Sequence, residues 1–193
     1  MSPISWTTGT QTEALGVGNA NGTLYVTSVT LTTISPLTGG GYCPANFWLP
    51  SYGISKSLLV KAYGVLSTTG TPNITMAIYG DTAQNTPSGT PLATTGVVAT
   101  AATVTNVPWE LDCVISNVTT GSSGTFLSFG IFKIYSSATA IVANRISSSA
   151  ANPNTASTLS TLSAYYIELA ATWGTNSSSN TITCYGYTVL GLN

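Results

Sequence analysis

Residues 58–66 read Leu-Leu-Val-Lys-Ala-Tyr-Gly-Val-Leu, and a turn signal, Thr68-Thr69-Gly70-Thr71-Pro72, follows almost at once. A short, nearly continuous apolar run closed by Gly and Pro reads as a central β-strand. After the turn, Ile74, Met76 and Ile78 alternate with Thr75, Ala77 and Tyr79. That period of two is the mark of a strand with one buried face. Together the two runs predict a β-hairpin that nucleates a sheet. No stretch elsewhere combines a helical period with caps, so an all-β chain is expected.

The remaining text divides in the same way. Leu24 and Val26, then Val29 and Leu31, alternate with a phase slip near Ser28, as a bulged strand would. Residues 97–105 form a weaker strand, and Trp109, Leu111, Cys113 and Ile115 share one face of the next. Further strands are expected over 126–135, 140–146, 165–173 and 181–192. Residues 81–91 and the Ser/Ala/Asn/Thr-rich residues 147–160 read as exposed loops. Residues 1–22 carry Gly9, Gly16, Gly18 and Gly22 without an apolar period, and predict an extended N-terminal arm ordered against a neighbouring subunit. About eight or nine strands with long connections predict a single β-sandwich of jelly-roll or related Greek-key type over residues 23–193. No repeat of fixed period is present, which argues against solenoids and propellers.

Charge narrows the function classes. Only 5% of the 193 residues are charged, against about 25% in ordinary soluble domains. Hydroxyls and amides must keep the surface wet, and little long-range repulsion holds copies apart. The four cations, Lys56, Lys61, Lys133 and Arg145, are scattered along a chain of net charge −1. Phosphate backbones demand clustered cations, so no direct nucleic-acid partner is expected. The opening Met1-Ser2-Pro3-Ile4-Ser5-Trp6 has no basic or apolar signal region, and no apolar run is long enough to span a bilayer. No membrane partner and synthesis in a cytoplasm follow as expectations. Cys43, Cys113 and Cys184 are an odd, widely spaced set beside apolar segments, expected to be buried thiols rather than one disulfide and a free cysteine. Sequons begin at Asn21, Asn73, Asn117 and Asn176, as a Ser/Thr-rich chain produces by chance.

Histidine is absent, which removes His-based triads and His-ligated metals. Neither Gly-x-Ser-x-Gly nor a nucleotide-binding glycine pattern occurs. Glu110 and Asp112 stand at i, i+2 on one strand face, where a two-carboxylate site would need them. The favoured reading is the plainer one, that they are the solvent side of a strand that buries Trp109, Leu111 and Cys113. Asp81 and the Asn-rich turns offer too few oxygens for calcium. No catalytic residue, cofactor or metal is therefore assigned, and a non-enzymatic role is expected. Glu168 interrupts an apolar strand, as a solubilising charge or, between subunits, as a partner for Lys61 or Arg145. Tyr42, Phe47, Trp48 and Tyr52 crowd residues 36–53 as a hydrophobic plug, an inter-subunit anchor or a platform for sugar rings. With Trp6 of the arm they are the candidate interface residues.

The text of residues 58–76, with the later Val107-Pro108-Trp109-Glu110-Leu111, resembles small structural proteins of tailed bacteriophages. In these an apolar strand pair precedes a Pro-Trp-Glu-Leu strand and a Gly-rich turn. The resemblance covers roughly residues 55–135 and carries over no binding residue. It implies a virion component made in the host cytoplasm, either a capsid decoration (cement) protein or part of a tail or fibre. Its implied partners are the major capsid protein and itself, as a jelly-roll homotrimer across capsomer junctions. Under the tail-fibre alternative the implied partner is a receptor or glycan.

Overall fold

The computed structural model describes residues 23–25, 32–33, 41–49, 56–83, 87–137, 139–175, 177 and 179–192. The predicted arm, Trp6 and Tyr52 lie outside the described residues. The described residues form antiparallel β-strands and no helix. Short strands come first: β1 (Thr23–Tyr25), β2 (Thr32–Thr33) and β3 (Tyr42–Cys43). Then follow β4 (Ser57–Thr68), β5 (Asn73–Asp81), β6 (Ala93–Thr94), β7 (Val98–Ala99) and the longest, β8 (Val104–Thr119). The chain continues through β9 (Gly124–Tyr135), β10 (Ile141–Ser147), β11 (Ser157–Leu159), β12 (Tyr165–Trp173) and β13 (Thr181–Leu192).

One curled sheet links them in the order β1-β13-β4-β8-β9-β10-β6-β5-β12-β2, with β3 on β12, β7 on β5 and β11 on β9. Because the sheet curls, β13-β4-β8-β9-β10 and β6-β5-β12 face each other across the core, giving a β-sandwich of jelly-roll type. The predicted all-β sandwich is the fold observed.

The predicted hairpin is corrected. β4 pairs with β13 and β8, whereas β5 pairs with β12, β6 and β7. The turn between them is a corner that carries the chain from one layer to the other. The β12–β13 connection makes the same crossing, so the antiparallel ribbon β4/β13 continues beyond the corner as β5/β12. Hydrogen bonds tie the two crossings together: Thr69 N donates to Asn180 Oδ1 at 3.1 Å, and Gly174 N to Asn73 O at 2.8 Å. Residues 100–103 brace the first crossing, with Thr100 N donating to Pro72 O and Thr103 N to Gly70 O. Local turn chemistry specifies a reversal, but partner choice depends on which long strands can flank each edge.

Alternate residues of the long strands fill the core. Leu58, Val60, Ala62 and Leu66 of β4 point inward with Trp109, Leu111, Cys113 and Ile115 of β8 and Phe126, Phe132 and Ile134 of β9. They meet Ile74, Met76 and Ile78 of β5 and Ile167, Leu169, Ala171 and Trp173 of β12. The Trp109 indole lies across β4, its Nε1 donating to Val65 O at 3.2 Å and to Thr183 O at 3.1 Å. Gly64, in register with Trp109, is required there: a Cβ at this position would overlap the carbonyl oxygen of Thr183. Cys43, Cys113 and Cys184 are free, buried thiols, and burial pushes each up to about 12.

Two expectations about single segments also change. Glu168 is only 2% exposed, so it is not a solubilising charge. It sits opposite Tyr79 on the second face of β12, beside the small cluster of Ala77, Tyr79 and Ala170. Within the chain, Lys61 pairs with Asp112 and Arg145 donates to Ala150 O. Residues 147–160 are not simply an exposed loop. Ser147, Ser148 and Ser157 are buried, β11 pairs with β9, and Ser148 Oγ donates to Thr155 O at 2.7 Å.

Candidate interaction surface

The alternation that buries Trp109, Leu111 and Cys113 turns Glu110, Asp112 and Val114 to the outer face of the same strand. β4 and β9 flank β8 in register there. Glu110 lies between Tyr63 and Lys133, and Asp112 between Lys61 and Ile131. Val114 lies between Leu59 and Phe129, and Leu190 of β13 extends that row beyond Leu59. An alternating charged ladder thus runs beside an apolar row on one open sheet surface. Phe129 is 61% and Tyr63 56% exposed, with Leu127 and Ile141 also exposed. Leu127 and Phe129 follow one another on the outer side of β9 beside Val114, whereas Tyr63 and Ile141 stand beyond the charged rows.

The ladder is neutral. Lys61 Nζ stands 2.9 Å from Asp112 Oδ1, and Lys133 Nζ 2.5 Å from Glu110 Oε1. The sequence scatters its cations, yet sheet register brings two of the four together with two carboxylates. Hydrogen bonds from Lys133 and then from Tyr135 hold the Glu110 carboxyl below the ordinary carboxylate range. Each donor is raised by its own bond to Glu110, Lys133 by one and the Tyr135 phenol by the other. Glu110 and Asp112 are therefore the solvent side of β8, each held by its own lysine. A shallow groove of about 170 Å³ beside them is lined by Lys61, Ala62, Tyr63, Glu110, Leu111 and Asp112. Carboxylates already committed to lysines on an open face suit recognition by charge and shape.

The aromatic segment divides. Trp48 is fully buried and Phe47 nearly so, stacked edge-on with centroids 5.0 Å apart, and Trp48 meets Phe126 at 4.8 Å. These two rings plug the chain's own core and are not presented to a subunit or a sugar. Lys56 covers the Phe47 ring at 5.2 Å. Tyr42 stays 43% exposed, its ring 5.5 Å from that of Tyr166 across the β3–β12 pair.

Comparison with known proteins adds no relative. No family model, curated protein or solved structure matches this chain.

Among the described residues, no three of Cys, Asp and Glu gather as metal ligands, and no helix is long and apolar enough to cross a membrane. The outer side chains of β9 escaped sequence reading for a physical reason. Both phases of residues 126–135 are apolar, Phe126, Phe132 and Ile134 in one and Leu127, Phe129 and Ile131 in the other. Periodicity cannot then say which phase is inside. The charges of β8 could have found the surface, because its neighbours in register must share the outer side of Glu110.

Proposed function

We propose that this chain is a structural protein of a bacteriophage particle, made in the host cytoplasm, which decorates the capsid and reinforces it through contacts with the major capsid protein and with its own copies. One observation carries the reading: the open face of β4, β8 and β9, where Phe129 and Tyr63 stand exposed beside a neutral ladder of ion pairs. A sandwich with an apolar core on one side and an open sheet surface on the other suits a component that is laid against larger neighbours. The resemblance of residues 58–76 and 107–111 to tailed-phage structural proteins supplies the context. Binding only to the assembled shell stabilises that shell by mass action. The homotrimer is the symmetry the resemblance implies for the self-contacts.

Particles assembled without the chain should break open at a lower temperature than particles that carry it, and antibody against the chain should label heads. Label confined to tail tips would favour a receptor- or glycan-binding fibre module. Equal thermal stability with no label on particles would overturn the structural role.

A further inference from the structure

One edge of the curled sheet lacks a neighbouring strand. β10 pairs with β9 along residues 141–147, but on its other side it meets β6 only where Ser147 faces Thr94. Beyond Thr94 the chain follows β5 instead, with Thr95 N donating to Met76 O and Val98 in register with Ile74. Among the described residues no other strand pairs with residues 141–146 on that side. Such an edge offers backbone donors and acceptors that an added strand can take up.

The side chains along it select what can be added. Ile141, Ala143 and Arg145 stand exposed on the outer phase. Arg145 donates to Ala150 O at 2.8 Å, and among the described residues it has no carboxylate partner, because the two ion pairs use Lys61 and Lys133. A guanidinium carries five N–H donors, so most of them remain for a carboxylate. Residues 1–22 contain one charged side chain, Glu13, and there Glu13, Leu15 and Val17 alternate with Ala14 and Gly16. Set antiparallel to β10 with Glu13 opposite Arg145, this stretch brings Leu15 opposite Ala143 and Val17 opposite Ile141. Charge then meets charge and apolar meets apolar on the outer phase, while the small Ala14 and Gly16 fall opposite Asn144 and Val142. A parallel setting with the same ion pair loses that match, because Gln11 and Gly9 would face Ala143 and Ile141.

We infer that residues 13–17 of one copy add as a strand to the β10 edge of another copy. The inference rests on the self-association in the reading above and names the segment and the edge responsible. Chain length decides for a second copy over the same one. β1 and a strand added beyond β10 stand at opposite ends of the order β1-β13-β4-β8-β9-β10, about 29 Å apart along the sheet at about 4.8 Å per strand. The six peptide links from Val17 to Thr23 span about 22 Å at most when fully extended. The contact is therefore head to tail, from the arm of one copy to the edge of the next, and a ring of three closes it.

Sedimentation velocity of the full chain over roughly 1–100 µM tests the inference, with circular dichroism and melting to report folding. A trimer is expected. Successive N–H groups of a strand point to opposite sides, so one of Ala14→Pro and Leu15→Pro removes a bond to β10 and should weaken association by about 10-fold or more. Arg145→Glu sets like charges opposite each other at an exposed position and should weaken it about 5- to 10-fold, as should Glu13→Arg outside the sandwich. The swap Glu13→Arg with Arg145→Glu should restore it. A monomer at 100 µM, or an oligomer that neither proline nor either charge reversal weakens, overturns the strand addition. A swap that stays weak overturns the register. A trimer insensitive to every variant overturns this edge while leaving the virion reading standing, because capsid labelling is read independently.

Discussion

The two faces of β4, β8 and β9 share a backbone and differ in nearly every constraint. Inside, the fully buried Trp109 donates its indole N–H to the carbonyls of Val65 and Thr183, and Gly64 leaves no room for a Cβ against Thr183 O. Outside, Glu110 and Lys133 meet at a partly solvated surface, where water can replace either partner. One residue of displacement along β8 therefore separates a position fixed by packing from one fixed only by its neighbours' charges. The difference teaches that the core specifies this fold, whereas the ladder is available for recognition at little cost in stability.

Substitutions on the two faces can break or sharpen that contrast. The largest effect should come from Trp109→Ala, which empties a buried core site and should cost about 4 kcal/mol in urea unfolding. Trp109→Phe keeps most of the apolar bulk and loses the indole N–H, so about 1–2 kcal/mol is expected. A loss below about 1 kcal/mol for Trp109→Ala would show that the inner face repacks freely, and the contrast would fail. Next comes Gly64→Ala. Its Cβ would displace backbone rather than a flexible side chain, so about 3 kcal/mol is expected, as for overpacking. Gly70→Ala is the control: Gly70 has φ of 71° with open space around it, and about 1 kcal/mol of backbone strain is the whole expected cost. Equal losses at Gly64 and Gly70 would mean that conformation, not the close approach of β13, sets the requirement.

The smallest effect belongs to the outer face. Glu110→Gln should shift the unfolding free energy of the chain, measured at a concentration where it is monomeric, by no more than about 0.5 kcal/mol at pH 7, as for an exposed pair. Its sign with pH follows from the lowered Glu110 carboxyl. A carboxylate favoured in the folded state adds stability above its unfolded pKa of about 4.3, and the gain is lost as pH falls through its lower folded value. Urea midpoints of the wild type and Glu110→Gln should therefore differ slightly at pH 7 and converge near pH 3. A difference that grows in acid would contradict the pairing with Lys133.

Much of the sandwich could be read directly. The alternation in residues 109–115 placed Trp109, Leu111 and Cys113 inside and Glu110 and Asp112 outside, because one polar phase and one apolar phase leave a single solution. The three cysteines were legible as buried thiols because they are odd in number, widely spaced and set in or beside apolar segments. Elsewhere the signal was ambiguous. Phe47 and Trp48 read as plug, anchor or sugar platform, and only packing against Phe126 makes them a plug. Glu168 looked like a solvent charge because alternation shows one buried face and cannot reveal that β12 is covered on both.

The sequence by itself determined the β class, the turn at residues 68–72, the inner and outer phases of β8 and the scarcity of charge. These are local properties, set by side-chain period and by the residues that end strands. Tertiary structure alone decided that the turn is a corner between layers, that β4 takes β13 and β8 as partners, and that Lys61 and Lys133 flank the Glu110–Asp112 strand. Strand partners are chosen by the joint burial of segments far apart in the chain, and no local pattern encodes that choice.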